Sequence, residues 1–238
     1  MRLVLFDIDG TILLTDGAGR RAVQRALIEV FGSTGSADHR FDGKTDPQIV
    51  RELMRMEGHA DEHIDEHMGR MLARYVEYLH DELRSGVAST RLMPGVPELL
   101  DALDARDDVL LGLLTGNLAA GARAKLNAAG VDFGRFAIGA FGSDHEARGE
   151  LPAVAQRRAR EDLGLDIAGN DVVVIGDTPA DIQCGRAIGA RAIAVATGHY
   201  SVEELWRHGP AAVFEDLSPT ADVVRAIVAD TVSSSAAR

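Results

Sequence analysis

Short apolar runs alternate with segments of helical spacing along most of the chain. The first run, residues 3–6, is bounded by polar residues, which is typical of a strand buried in a parallel sheet. Further apolar runs predict strands over 109–114, 136–140, 172–175, 191–196 and 211–214. Helical spacing predicts helices over 17–31, 47–57, 61–83, 96–105, 119–129, 151–163, 180–188 and 219–229. Strands and helices in alternation indicate βαβ units around a parallel sheet.

One purely helical stretch interrupts this alternation. Between residues 15 and 89 the pattern predicts helices and no strand, whereas strands and helices alternate from Met93 onwards. We therefore predict an α/β core domain built from residues 1–14 and 90–230, with a helical domain inserted at 15–89. The serine- and alanine-rich end, 231–238, is predicted to be a disordered tail.

Composition narrows the classes of function. The chain has 238 residues and a net charge of −12, which argues against binding to nucleic acid. The same charge means that an anionic substrate needs a local cation. The single cysteine, Cys184, excludes an internal disulfide and fits a reducing cytoplasm, and no apolar run is long enough to span a membrane. We expect a cytoplasmic protein that is a monomer or a homodimer.

Three of the predicted strands end in polar residues, at one edge of the predicted sheet. The residues are Asp7 and Asp9 after 3–6, Thr115 and Asn117 after 109–114, and Asp177 and Asp181 after 172–175. Open α/β folds bind their ligands at this edge. Asp7 and Asp9 reach one ligand only if the backbone curls after Asp7, a bend that Gly10 permits. Each pair alone is also consistent with a solvated turn.

The stretch DIDGT at 7–11 resembles the first motif, DxDGT, of the haloacid dehalogenase superfamily. Thr115, and then Asp177 with Asp181, resemble the second and fourth motifs in the family's order. The resemblance implies a Rossmann-like parallel-sheet core with an inserted α-helical cap of the C1 type. It also implies a magnesium-dependent phosphohydrolase with an aspartate nucleophile, similar to the phosphoglycolate phosphatase group.

The resemblance implies roles for the residues of the first motif. Asp7 is the expected nucleophile, which becomes an aspartyl phosphate and also binds Mg²⁺. Asp9 is expected to protonate the leaving alkoxide and then to deprotonate the hydrolytic water, with its backbone carbonyl on the metal. Gly10 is expected among the substrate-binding residues.

The other motifs are implied to hold the phosphoryl group and the metal. Thr115 and the backbone amides around Gly116 and Asn117 are expected to bind the phosphoryl oxygens. Asp177 is an expected ligand of Mg²⁺, which prefers oxygen donors. Asp181 is expected to bind the metal or to orient a metal-bound water. The alternative for Asp181 is an ordinary acidic residue in the first turn of a helix.

The third motif departs from the family pattern. The family usually carries a lysine after the third core strand, but the lysines of this chain, Lys44 and Lys125, lie elsewhere. Arg148, just before the predicted helix at 151–163, is the best substitute. Arginine can bridge a carboxylate and a phosphate, although it is bulkier than lysine.

The presence of Asp9 argues against dehalogenation, because halide leaves without protonation and the dehalogenases have no acid there. Phosphatase activity on a small phosphorylated metabolite is the favoured prediction, with phosphoglycolate as the leading substrate, since a cap limits access. Lys44, together with Arg20 or Arg21, is a candidate partner for a substrate carboxylate, whereas the arginines fit a solvated surface equally well. The alternatives are a β-phosphoglucomutase-like phosphoryl transferase and a non-catalytic, metal-binding regulatory protein.

A separate pattern lies in the predicted cap. His59, His63 and His67 recur at every fourth residue and would share one helix face, where two imidazoles can chelate a transition metal. A polar, solvated helix face is the simpler interpretation.

Overall fold

A computed structural model describes residues 1–85 and 89–229. Within these residues eight strands are present: β1 (Arg2–Phe6), β2 (Leu13–Leu14), β3 (Arg91–Leu92), β4 (Val109–Thr115), β5 (Ile138–Phe141), β6 (Val172–Gly176), β7 (Arg191–Val195) and β8 (Ala212–Phe214). The helices are α1 (Ala18–Phe31), α2 (Asp46–Met56), α3 (Asp61–Arg84), α4 (Val96–Asp104), α5 (Ala119–Ala128), α6 (Leu151–Leu163), α7 (Pro179–Cys184), α8 (Val202–Trp206) and α9 (Thr220–Val228).

The main sheet has six parallel strands in the order β5-β4-β1-β6-β7-β8. β1 lies at the centre, and all five of its residues are buried. It pairs with β4 on one side, where Phe6 is opposite Leu113, and with β6 on the other, where Phe6 is opposite Ile175. The carboxyl ends of β1, β4 and β6 are therefore neighbours, and the polar residues that follow them meet at one edge.

The predicted strands and helices are present, with ends shifted by a few residues at most, except that the helix predicted at 180–188 ends as an α-helix at Cys184 and continues as a 3₁₀ turn. Two features escaped prediction. The pair β2 and β3 is too short to show a periodicity, and α8 is a five-residue helix. Ser201 and Glu204 form a capping box at the start of α8, a sequence signal that was present.

Helices α1 to α3 form a helical segment, residues 18–84, with its own apolar core. The fully buried residues of α1 include Ala18, Ala22 and Ala26, which pack in one cluster with Tyr75 and Leu79 of α3. Small side chains along this stripe let the two helices approach closely. The chain enters and leaves this part of the molecule through the antiparallel ribbon of β2 and β3.

The predicted domain boundaries, 14/15 and 89/90, fall at this ribbon, and the division into two domains stays a prediction. The predicted tail, 231–238, lies outside the described residues. Among the described helices, none has both the length and the apolar character needed to cross a membrane.

The helical segment is hydrogen-bonded to the loop that follows β4. The backbone N–H of Asp46 donates to the carbonyl of Gly116 at 2.8 Å, and the carboxylate of Asp46 accepts the N–H of Leu118 at 2.8 Å. A Cβ added at Gly116 would lie 1.9 Å from the carbonyl oxygen of Lys44, so only glycine permits this approach. The start of α2 thus lies directly on the sheet edge.

A second set of contacts joins α2 to the loop after β5. Thr45 Oγ1 donates to the carbonyl of Glu146 at 2.7 Å, and Arg51 Nε donates to the Glu146 carboxylate at 2.7 Å. Arg51 also pairs with Asp65 of α3. These bonds fix the helical segment over the carboxyl ends of the strands.

Burial of a leucine in the central strand generates a first prediction. Leu5 is fully buried, whereas Leu163, at the end of α6, is 42% exposed. Leu5→Ala is expected to lower the free energy of unfolding by about 2–5 kcal/mol, because a cavity replaces a packed side chain. Leu163→Ala, the matched control, is expected to change it by less than about 1 kcal/mol. Urea denaturation followed by circular dichroism measures both, and equal effects of the two changes would contradict this packing.

The Asp46 carboxyl generates a second prediction. Burial raises the pKa of Asp46 to about 6, although Lys125 and the Leu118 N–H oppose the rise. The native state therefore binds the proton more tightly than the unfolded state, so this carboxyl favours folding below pH 4 and the benefit is lost as the pH rises through about 6. Relative to Asp46→Asn, the natural protein is expected to lose on the order of 1–3 kcal/mol between pH 4.5 and 7.5. Urea denaturation of both proteins across this range measures the difference between their free energies of unfolding. A difference independent of pH would contradict the raised pKa of Asp46.

Candidate active site

The turn after β1 places Asp7 and Asp9 differently. The Asp7 N–H still pairs with the sheet, donating to the carbonyl of Ile175 at 2.9 Å. The chain then curls, and the carbonyl of Ile8 accepts the N–H groups of residues 11–13. Gly10 has a φ of +83°, and a Cβ there would lie 2.5 Å from the Asp177 carboxylate. Gly10 therefore provides the bend and the space that Asp177 needs.

Three buried carboxylates meet at this edge. Asp7, Asp177 and Asp181 are each at most 5% exposed, and each offers an oxygen within 4.8 Å of the others. Burial raises the pKa of Asp7 to about 6, with Arg148 opposing the rise and Asp181 adding to it. Burial, followed by the charges of Asp181 and Asp7, raises the pKa of Asp177 well above its usual range. The ionised forms of Asp7 and Asp177 are therefore disfavoured, because Arg148 does not fully offset burial and the neighbouring carboxylates.

Arg148 is the cation within this cluster. It lies in a 3₁₀ turn just before α6, is 7% exposed, and places Nη2 3.2 Å from Asp7 Oδ1. The same nitrogen donates to Asp181 Oδ1. Burial lowers the pKa of Arg148, but the carboxylates of Asp181 and Asp7 outweigh this and raise it above its usual value. The structure thus brings the predicted substitute for the missing lysine against the predicted nucleophile.

Asp181 is both a helix cap and a member of the acidic cluster. Its backbone N–H donates to Thr178 Oγ1 at 3.3 Å, and its Oδ2 accepts the Thr178 N–H at 3.0 Å, which forms a capping box. Its Oδ1 faces Arg148 and the cluster. The two interpretations of this residue, a first-turn acid and a site residue, both describe its contacts.

Asp9 lies apart from the cluster, with its side chain 41% exposed. Lys125 Nζ donates to both of its oxygens, at 2.8 and 2.7 Å, and the Asn117 Nδ2 group donates to Oδ2 at 2.7 Å. Asn117 Nδ2 also lies 2.8 Å from Thr115 Oγ1, which is fully buried. The side chain of Asn117 therefore contacts Asp9, the predicted acid and base. The prediction from sequence assigns a role to the backbone amide of Asn117 alone.

A cavity of about 670 Å³ lies between the helical segment and the sheet edge. Its lining includes the predicted site residues Asp7, Asp9, Thr115, Gly116, Asn117, Arg148, Asp177 and Lys44. Gly10 and Asp181 lie behind this lining, against Asp177 and Arg148. The ten predicted site residues therefore converge, on or just behind the wall of one cavity.

The three side chains predicted as candidate partners for a substrate carboxylate differ in their contacts and in whether they line the cavity. Lys44 lines the cavity, but its ammonium group donates to Glu52 and contacts the ring of His39. Arg20 also lines the cavity and stacks on Phe41, with its guanidinium carbon 3.9 Å from the ring centroid. Arg21 pairs with Glu82 of α3 and is absent from the lining.

Lys125 is the site residue that sequence reasoning missed. It is 4% exposed and lies on α5 among buried neighbours, including Ala122 and Leu126. A lysine on the apolar stripe of a helix is unusual, because lysine is almost never buried without a partner. That position was a signal that the ammonium group of Lys125 has an acidic partner.

The three histidines lie together on the surface of the helical segment. The rings of His63 and His67 are 4.3 Å apart between centroids, and Glu66 offers a carboxylate oxygen within 4.8 Å of a nitrogen of each. All three rings, including that of His59, pack around Phe31 at 5.4–5.8 Å. Metal binding by this face stays a prediction, and contact with Phe31 accounts for the arrangement without a metal.

Comparison with solved structures shows the same fold in several proteins. A hydrolase from Pseudomonas syringae is 22% identical, with a TM-score of 0.72 and coverage of 96% of this chain and all of its own. A predicted phosphoglycolate phosphatase from Haemophilus somnus 129pt is 19% identical, with a TM-score of 0.69 and coverage of 94% and 98%. CbbY from Rhodobacter sphaeroides, solved with phosphate, is 17% identical, with a TM-score of 0.70 and coverage of 92% and 95%. The predicted α/β fold class is confirmed.

Sequence comparison identifies the family. No curated protein matches the chain significantly. The sequence profile of haloacid dehalogenase-like hydrolases, in contrast, matches residues 4–186, a range that contains the acidic cluster, Arg148 and Lys125. This match covers more than half of the chain and includes every motif on which the resemblance was based. The chain is therefore an enzyme of the haloacid dehalogenase-like hydrolase family.

Proposed function

We propose that the protein is a magnesium-dependent phosphatase that hydrolyses a small phosphorylated metabolite through an aspartyl phosphate on Asp7. One observation carries the proposal. Asp7 lies buried against Arg148, whereas Asp9, two residues later, lies apart from the acidic cluster on the wall of the same cavity. This difference supports a division of roles, with attack on phosphorus by Asp7 and proton exchange with the leaving group by Asp9.

The acidic cluster is chemically suited to a divalent cation. Three buried carboxylates face one arginine, and the raised pKa values of Asp7 and Asp177 follow from burial and from mutual repulsion. Mg²⁺ prefers oxygen ligands, and Asp7 and Asp177 would hold it together with the backbone carbonyl of Asp9. Asp181, whose oxygens already accept bonds from Thr178 and Arg148, would complete or orient this set. When bound, Mg²⁺ would offset the negative charge shared by Asp7 and the phosphate.

In the first step the Asp7 carboxylate attacks phosphorus and the bond from phosphorus to the leaving oxygen breaks. Asp9 donates a proton to that oxygen, so that an alcohol leaves rather than an alkoxide. Arg148 holds Asp7 Oδ1 in place and supplies positive charge beside the transferring group. The hydroxyl of Thr115, the last residue of β4, and the backbone amides of Gly116 and Asn117 bind the phosphoryl oxygens in this proposal, and all three residues line the cavity.

In the second step water hydrolyses the aspartyl phosphate. Asp9, now a carboxylate, removes a proton from the attacking water, and Asp7 is regenerated with release of phosphate. The same residue therefore acts first as acid and then as base, which its position on the cavity wall allows.

The size and lining of the cavity support a small substrate. Its volume is about 670 Å³, and the helical segment supplies a large part of its wall through the start of α1 and the 41–46 loop. One protein of the same fold is described as a predicted phosphoglycolate phosphatase, and another has been solved with phosphate. We therefore propose a short phosphorylated acid of the phosphoglycolate type as the substrate.

Asp7→Asn tests the nucleophile. The amide cannot form the aspartyl phosphate, so phosphate release is expected to fall by at least about 10³-fold. Release from a panel of small phosphorylated metabolites is measured with Mg²⁺ and with excess chelator, and activity is expected only with Mg²⁺. Asp107→Asn, at an exposed position, is the matched control and is expected to leave the rate unchanged.

Three results would count against this assignment. Full activity of Asp7→Asn would exclude Asp7 as the nucleophile. Full activity with chelator would exclude the metal. Absence of release from every substrate, with transfer of phosphate between positions of a sugar phosphate instead, would favour the mutase.

Arg148→Met tests the cation beside Asp7. Loss of a charged donor aimed at the transferring group is expected to lower kcat by about 10²–10³-fold. Arg148→Lys, which restores the family's usual residue type, is expected to recover part of this loss. Arg157→Met, on the exposed face of α6, is the control. If Arg148→Met were no slower than the control, the guanidinium would have a purely structural role.

A further inference from the structure

We propose that Lys125 is a positioning residue for Asp9, which it holds in the orientation needed for proton transfer. This inference rests on the proposed phosphatase function. It adds a second cation to the site, with a task separate from that of Arg148.

The hydrogen bonds of Lys125 are those of a fully satisfied ammonium group. Nζ contacts three acceptors: Asp9 Oδ1 at 2.8 Å, Asp9 Oδ2 at 2.7 Å and Asn117 Oδ1 at 2.7 Å. An ammonium group has three N–H donors, so each donor has an acceptor. Asn117 closes the ring by donating to Asp9 Oδ2. Two neighbouring groups thus fix the Asp9 carboxylate.

The burial of Lys125 has a cost that packing alone does not explain. The side chain is 5% exposed, whereas its partner Asp9 is 41% exposed. An apolar residue would fill the same stripe of α5 without desolvating a charge. The contact of its ammonium group with Asp9, rather than packing, therefore accounts for a lysine at this position.

The helical segment packs against the ammonium group of Lys125. A Cβ added at Gly19 of α1 would lie 3.5 Å from Nζ and 3.9 Å from the hydroxyl of Tyr75. Asp46, at the start of α2, lies close enough for the charge of Lys125 to oppose the rise in pKa that burial causes. The helical segment thus covers Lys125, which is buried, whereas Asp9 stays open to the cavity.

Each of the two carboxylates with a proposed catalytic role, Asp7 and Asp9, is paired with a different cation. Among the described residues, Lys125 is the cation in salt-bridge contact with Asp9, and Arg148 is the one in contact with Asp7. Lys44 is occupied by Glu52. Each carboxylate therefore has its own counter-ion, on a different helix or turn.

This arrangement has a defined effect on the reaction. When the O–H bond on Asp9 breaks and the proton passes to the leaving oxygen, a carboxylate is regenerated on Asp9. Lys125 is already placed to stabilise that charge, because its N–H groups point at both oxygens. Removal of Lys125 should therefore slow only those reactions in which the leaving group needs the proton.

Lys125→Met provides the test, with three substrates compared by kcat/KM. The leaving groups of phosphoglycolate and glycerol 3-phosphate are alkoxides, which need a proton. Of these two substrates, only phosphoglycolate carries a carboxylate. 4-Nitrophenyl phosphate has a leaving group that needs no proton. The variant is expected to lose about 10²-fold on both alkyl phosphates and less than about 5-fold on the aryl phosphate. Lys125→Arg is expected to recover part of the loss.

The possible results distinguish failure of the role inferred for Lys125 from failure of the proposed phosphatase function. Equal losses on all three substrates would overturn it, because a general disturbance of the site does not depend on the leaving group. A loss confined to phosphoglycolate would also overturn it and would assign Lys125 to the substrate carboxylate. If the natural protein hydrolysed none of the three, the proposed phosphatase function would fail instead.

A double-mutant comparison keeps the test valid if Lys125→Met does not fold. Asp9→Asn combined with Lys125→Met removes both charges of the pair, so no buried charge is left alone. If Lys125 acts through Asp9, the double variant is expected to be no slower than Asp9→Asn with 4-nitrophenyl phosphate. A further loss of more than about 5-fold in the double variant would refute the positioning role.

Discussion

Three carboxylates buried at the end of a parallel sheet, with one arginine among them, are the constraint around which this molecule is built. Asp7, Asp177 and Asp181 lie within 4.8 Å of one another, and Arg148 contacts two of them. Buried charges of one sign are costly, and a folded chain tolerates them only where counter-charge and hydrogen bonds are supplied. Much of the local structure meets that requirement, including the absence of a Cβ at Gly10, which makes room for Asp177.

The helical segment and the sheet edge contribute different parts of one site. The sheet supplies the acidic cluster at the carboxyl ends of adjacent strands, where parallel folds place their chemistry. The helical segment supplies Asp46 and Tyr75, which surround Lys125, and the 41–46 loop, which faces the cavity. The proposed role of Asp9 therefore depends on residues of the helical segment as well as on the sheet edge.

Sequence patterns predicted the six strands of the main sheet, most of the helices and the convergence of the motif residues, because these depend on local periodicity and on the shared edge of parallel strands. The position of Arg148 followed from its place before α6, and the structure brings it to Asp7. The contact of Lys125 was not predicted, because its partner Asp9 lies 116 residues away in the sequence. Periodicity identifies the buried face of a helix but not the residues that this face contacts. The predicted contact of Lys44 with substrate had the same difficulty, since Glu52, eight residues further along the chain in α2, pairs with its ammonium group.

An arginine rather than a lysine beside Asp7 has a consequence for the alkaline range of activity. A lysine ammonium can lose its proton when the solution becomes basic, and a site that depends on it then fails. A guanidinium keeps its charge throughout the range in which proteins stay folded, and Asp7 and Asp181 strengthen its hold on the proton further. The counter-charge beside Asp7 is therefore permanent, so any decline of activity in alkaline solution must originate in another group.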